Sequence, residues 1–191
     1  MRRRLDLERP VRRSIVAECV DIATQAPAGG NRHRYRFLAI DQEEERHALA
    51  GVYRRAFADY LTRPNVATGG VLESARHLAE HLHEVPVIVI PCMSGRVEAF
   101  RSAHEQSGYW GSVYPAVWSF MLAARERGLG TALTTMHLRY EEECAKILGI
   151  PFAEITQVCL LPVAYTIGDS FAPAIRRGGP FLSWNGWDGS E

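Results

Sequence analysis

Residues 85–91 read Val85-Pro86-Val87-Ile88-Val89-Ile90-Pro91, a continuous apolar run rich in β-branched side chains and bracketed by prolines. The run is too short for a helix, and it lacks the apolar/polar alternation of a strand with one wet face. It therefore predicts a strand buried on both faces, at the centre of a sheet. Upstream of it, Val71, Leu72, Ala75, Leu78, Ala79 and Leu82 recur at helical spacing, after a loop around Pro64 and Gly69–Gly70. A further helical pattern runs from Gln42 to about Leu61, and Tyr35 to Ile40 reads as a short strand. The first helix lies between Ser14 and Ala26, with Ile15, Cys19, Ile22, Ala23 and Ala26 on one stripe and Pro27, Gly29 and Gly30 ending it.

Downstream, Tyr114 to Ala124 is apolar almost all the way round, so the helix carrying it has to be covered by the domain or by a second subunit. Pro115 stands near its start, and Gly128-Leu129-Gly130 ends it with residues that tolerate left-handed backbone geometry. Thr131 to Leu138 is β-compatible, Tyr140 to Leu148 is helical, and Val158 to Tyr165 is another apolar strand, followed by a Gly/Pro-rich tail. Helices and strands interleave without a regular βαβ period or internal repeat, which predicts an α+β fold. No internal linker interrupts the 191 residues, so 1–191 reads as a single domain.

Lys plus Arg equals Asp plus Glu at 22 each, so no global field draws the chain to nucleic acid or an anionic membrane, and the expected partner is a small molecule. Cys19, Cys92, Cys144 and Cys159 are too far apart for a zinc knuckle or a redox dithiol, and are expected to be reduced, buried thiols. The basic amino terminus is followed by no apolar run of signal-peptide length, and no stretch approaches a membrane span. The expected address is cytoplasmic.

Three segments bear on chemistry. Arg12-Arg13-Ser14-Ile15 opens the first helix, where cations, a hydroxyl and free N–H groups suit a phosphate monoester. It also reads as a solvated basic turn. In Ala26-Pro27-Ala28-Gly29-Gly30-Asn31-Arg32-His33, glycines permit close backbone approach, and Asn31 can both donate to and accept from a heteroaromatic edge. An ordinary turn has the same composition. Gly108-Tyr109-Trp110-Gly111-Ser112-Val113-Tyr114-Pro115-Ala116, with Gly128-Leu129-Gly130-Thr131-Ala132-Leu133-Thr134-Thr135, joins aromatic surface to a small-residue loop suited to a planar ring. A core helix and its stop account for it equally well.

In this order, the RRS start, the AP-x-GGN loop, the PA-bearing central helix and the GLGT turn resemble the nitroreductase family from about Val11 to Trp187. The resemblance implies an α+β sandwich with a central mixed or antiparallel sheet flanked by helices. Two protomers would interlock as a homodimer, with FMN sites at the interface. It implies that Arg12, Arg13 and Ser14 hold the FMN phosphate together with Arg176 or Arg177. Ala28, Gly29 and Asn31, with His33 beside them, would reach the ring from the partner chain. Tyr114, Pro115, Thr134 and Thr135 would line its pyrimidine side and hydride-accepting nitrogen. The implied activity is ping-pong transfer of a hydride from NAD(P)H through FMN to a nitroaromatic, quinone or similar small acceptor, with no catalytic side chain.

Ala28 stands where the family usually has serine, His33 where it has glutamine, Arg34 where it has proline, and Ile175 near a frequent basic position. His33 and Arg34 are expected to make the cleft more positive, stabilising the anionic reduced flavin and favouring acidic acceptors. Two other functions compete: a flavin-binding carrier dimer without turnover, and a metal enzyme using the i, i+4 pair His77 and His81. The pair is not part of an HExxH motif and is expected to be a surface feature. Glu43-Glu44-Glu45 and Glu141-Glu142-Glu143 read as solvated acids at helix starts, and Trp118 as core.

Overall fold

A computed structural model describes residues 5–168, 179 and 181–187. Arg176 and Arg177, expected at a phosphate, and Ile175 lie outside the described residues. The 85–91 run lies where its composition puts it. Strand β3 (Val87–Ser94) is flanked on one side by β2 (Tyr35–Ile40) and on the other by β6 (Leu161–Thr166) and β5 (Ile155–Gln157), all antiparallel. β6 also pairs with β1 (Leu5–Asp6) and β4 (Leu129–Thr131), completing a six-stranded sheet with β2 at one edge.

Side chains alternate across β3 into two cores. Val87, Val89 and Met93 pack with α1 (Arg13–Ala23) and α5 (Tyr114–Glu126). Ile88, Ile90 and Cys92 pack with α2 (Glu43–Leu61), α3 (Gly69–His81) and α6 (Glu141–Leu148). With helices on both faces, neither set of side chains meets water, which is why the strand shows no polar alternation. Pro91 does not end the strand. It sits opposite Phe37 where the neighbour of β3 changes from β6, last paired at Val89↔Leu161, to β5, first paired at Cys92↔Gln157. Its missing N–H falls in that gap, while its carbonyl still accepts from the Val158 N–H at 2.8 Å.

Three expectations shift. β structure after Gly130 stops at Thr131; Thr134 makes one bridge to Leu160, and the chain then coils into a 3₁₀ turn, Met136–Tyr140. The last strand begins at Leu161, because Val158 and Leu160 bond to Pro91 and Thr134 rather than along one ladder. Trp118 is not core: it is 57% exposed and Leu122, one turn on, 49%. The apolar face of α5 that the described residues leave uncovered is the one for which sequence required a cover. The four cysteines are free and buried, and burial pushes the thiols of Cys92, Cys144 and Cys159 up to about 12. Among the described residues, no helix is long and apolar enough to cross a membrane.

Candidate functional site

α1 begins at Arg13 with Arg12 as its N-cap, and no side chain caps it or places an acid in its first turn. The Ile15 N–H turns back to the Arg12 carbonyl at 3.1 Å, which leaves the N–H groups of Arg13 and Ser14 without a partner among the described residues, an arrangement that attracts anions. Arg12 and Ser14 are exposed, and Arg12 makes no ion pair among the described residues. Arg13 is differently placed. Its guanidinium forks onto Asp41, just after β2, with Nε–Oδ2 at 2.6 Å and a second bond of 2.9 Å. The pair holds the Asp41 carboxyl below its usual range. Arg13 and Asp41 border a groove of about 540 Å³ between α1 and β2, floored by Val16, Val20 and Phe37.

The glycine loop sits at the other end of β2. Residues Gly29–Asn31 form a 3₁₀ turn in which Gly30 (φ 62°) and Asn31 (φ 54°) are left-handed. The Gly29 N–H donates to Ser112 Oγ at 2.9 Å, and that hydroxyl donates to the Gly108 carbonyl at 2.7 Å. A Cβ at Gly29 would lie 3.0 Å from Ser112 Oγ, so glycine is what lets this backbone press onto the end of α4 (Ala103–Gly111). Ala28 is half-buried, Asn31 is exposed, and His33 Nδ1 lies 3.0 Å from the Tyr35 hydroxyl.

Tyr114 and Pro115, the first residues of α5, lie near the same end. Trp110 packs against Tyr114 with ring centroids 5.7 Å apart, and the Tyr109 hydroxyl donates to Gly95, just past β3, at 2.7 Å. Thr134 is on the far side of β3 from β2, bonded in both directions to Leu160, with its Oγ1 3.0 Å from the hydroxyl of Tyr53 on α2. Thr135 is exposed at the start of the 3₁₀ turn. The structure thus seats the 28–31 loop, through Gly29, on Ser112, two residues before Tyr114. It separates that loop from Arg12–Ser14 by the length of the six-residue strand β2, about 17–20 Å at ~3.3 Å per residue.

Sequence reading placed Gly108 and Ser112 in the aromatic segment without seeing that they receive Gly29, and it missed Asp41, for which local sequence carries no signal. It also misjudged Glu141. That carboxylate is 14% exposed, takes both Arg96 guanidinium nitrogens at 2.9 Å, and accepts the Gln157 N–H at 2.7 Å. His77 and His81 lie with ring centroids 4.5 Å apart and planes tilted by 42°, and His81 Nδ1 meets Glu84 at 2.7 Å. Among the described residues, no three His, Cys, Asp or Glu side chains converge to hold a metal ion.

The nitroreductase family model matches residues 2–165, most of the chain. The chain belongs to the nitroreductase family. Its fold matches solved nitroreductase-like structures at low identity. An iodotyrosine deiodinase bound to FMN and 3-iodo-L-tyrosine aligns over 97% of this chain and 94% of its own, at 22% identity and a TM-score of 0.72. A BluB-like flavoprotein from Clostridium difficile 630 aligns over 92% and 90%, at 16% identity and a TM-score of 0.67. A nitroreductase-like protein from Bacillus cereus aligns over 94% and 86%, at 17% identity and a TM-score of 0.67. No match is found among curated protein sequences.

Proposed function

We propose that this nitroreductase-family chain is an FMN-dependent oxidoreductase, working as a homodimer that passes a hydride from NAD(P)H to a small acceptor. The observation that carries the reading is the uncapped start of α1, where Arg12 and free N–H groups offer an anion site in a chain of this family. When bound, FMN supplies the redox chemistry. The chain's own part is to hold and orient. Arg12, Ser14 and the leading amides of α1 would take the phosphate. The backbone of the glycine loop and the Tyr114–Pro115 corner would flank the ring, and Thr134, steadied by Tyr53, would face its polar edge.

Two copies suit this division of labour. The phosphate-binding and loop segments occupy opposite ends of β2 on one protomer, so a partner's loop is the natural complement to a protomer's own α1. The bare Trp118–Leu122 stripe supplies apolar surface for the seam.

The test is the visible spectrum of freshly purified protein, followed by NADH and NADPH oxidation with quinone and nitroaromatic acceptors. A yellow protein that turns over is expected. A colourless protein that ignores added FMN would end the reading, and a yellow one inert with every acceptor would favour a carrier. Within it, Arg12→Ala should weaken FMN about tenfold or more, the scale of a lost charge-assisted contact. Arg13→Ala should cost less, because Arg13 is engaged by Asp41, and Asp41→Asn should tighten FMN by releasing it.

A further inference from the structure

A cavity of about 360 Å³ opens between the glycine loop and α4, lined by Arg32, Arg34, Met93, Phe100, Glu105 and Tyr109. It is at the small end of the range for ligand pockets, about 300–1,000 Å³. Its interior is apolar and partly aromatic: Phe100 and Tyr109 pack with centroids 5.1 Å apart. The Tyr109 hydroxyl is turned away to Gly95, so the residue offers ring surface and not a polar group. The charges are unequal. Arg32 and Arg34 make no ion pair among the described residues. The single acid, Glu105, is occupied in the helix cap, accepting from the Ser102 N–H at 3.1 Å and the Ser102 hydroxyl at 2.7 Å. Two free guanidinium groups over an aromatic floor match a flat apolar body carrying one carboxylate, the anion geometry that guanidinium binds best. His33, expected from sequence to share this role, does not line the cavity; it faces Tyr35.

We infer that this cavity binds a small aromatic carboxylate, and that this is the class of substrate the reductase accepts. The inference rests on the oxidoreductase reading for the word substrate, and on the cavity alone for binding. Arg32 and Arg34 hold the carboxylate, and Phe100, Tyr109 and Met93 take the ring.

The test is calorimetric binding of 4-nitrobenzoate and of neutral 4-nitrobenzyl alcohol to the full-length protein as purified. The wild type is expected to prefer the carboxylate about tenfold or more. Arg32→Gln/Arg34→Gln is expected to abolish that preference while leaving the neutral analogue unchanged. Arg36→Gln, an exposed β2 arginine outside the cavity, is expected to keep it. Equal affinity for the two compounds in the wild type would overturn the assignment, as would a double variant that retains the preference. Turnover of NAD(P)H with neutral acceptors and no carboxylate preference would sink the cavity assignment and spare the reductase. Selective carboxylate binding by a protein that oxidises no NAD(P)H would support the cavity and sink the reductase.

Discussion

At the scale of single residues, His137 has the clearest thermodynamic consequence. It is fully buried just after Thr135, and neither ring nitrogen has a hydrogen-bond partner. Desolvation lowers its pKa from the ordinary 6.5 to about 3, so the folded protein keeps it neutral. The unfolded chain takes up a proton below about 6.5 and the folded one does not until about 3. Stability from this site is therefore complete above pH 6.5 and falls by up to ~1.4 kcal/mol per unit as the pH drops between those values. His137→Leu removes the titrating imidazole. In urea unfolding at pH 7 and pH 4.5, the variant should lose about 2–3 kcal/mol less than the wild type on acidification. Parallel losses in the two proteins would exclude His137 as a source of acid sensitivity. A lone histidine between Met136 and Leu138 gives no local sign of burial.

At the scale of elements, the start of α6 is tied down by charge. Glu141 accepts from Arg96 and from the Gln157 backbone N–H, while Arg96 also donates to the Ile155 carbonyl and packs its guanidinium 4.2 Å from the centre of Phe152. Glu142, the next residue, makes an exposed i, i+4 pair with Lys146. Removing one partner of a desolvated pair leaves the other charge uncompensated, whereas exposed pairs contribute little. Glu141→Gln should therefore cost about 3 kcal/mol of unfolding free energy, and Glu142→Gln less than about 0.5. Equal effects would show that the node carries no special weight. Three glutamates in a row look alike in sequence; the register of β5 beside the helix start distinguishes the first from the others.

For the whole molecule, the unanswered demand is the cover of α5. Trp118 and Leu122 lie one turn apart on a helix whose opposite face is buried, and among the described residues nothing covers them. If the seam of a dimer runs there, Trp118→Glu places a charge in it and should yield monomers by analytical ultracentrifugation. Bound FMN should be lost in the same step, because the proposed site draws on both chains and would not survive their separation. A dimeric, yellow Trp118→Glu protein would move the seam elsewhere.

What the sequence determined alone was local. Strand β2 was read at its observed bounds, the 85–91 run marked the sheet centre, α1 was found from spacings of three and four, and α5 from a run apolar almost all the way round. Such patterns depend on neighbours within one or two turns, and the ordered short motifs identified the family. The tertiary structure alone decided that Arg13 is bound to Asp41, 28 residues away, and that Gly29 presses on Ser112, 83 residues away. It also decided which glutamate is tied to Arg96 and which side of α5 is bare. These outcomes follow from strand register and helix docking, which bring distant residues within hydrogen-bonding reach without leaving a mark on the residues next to them in the chain.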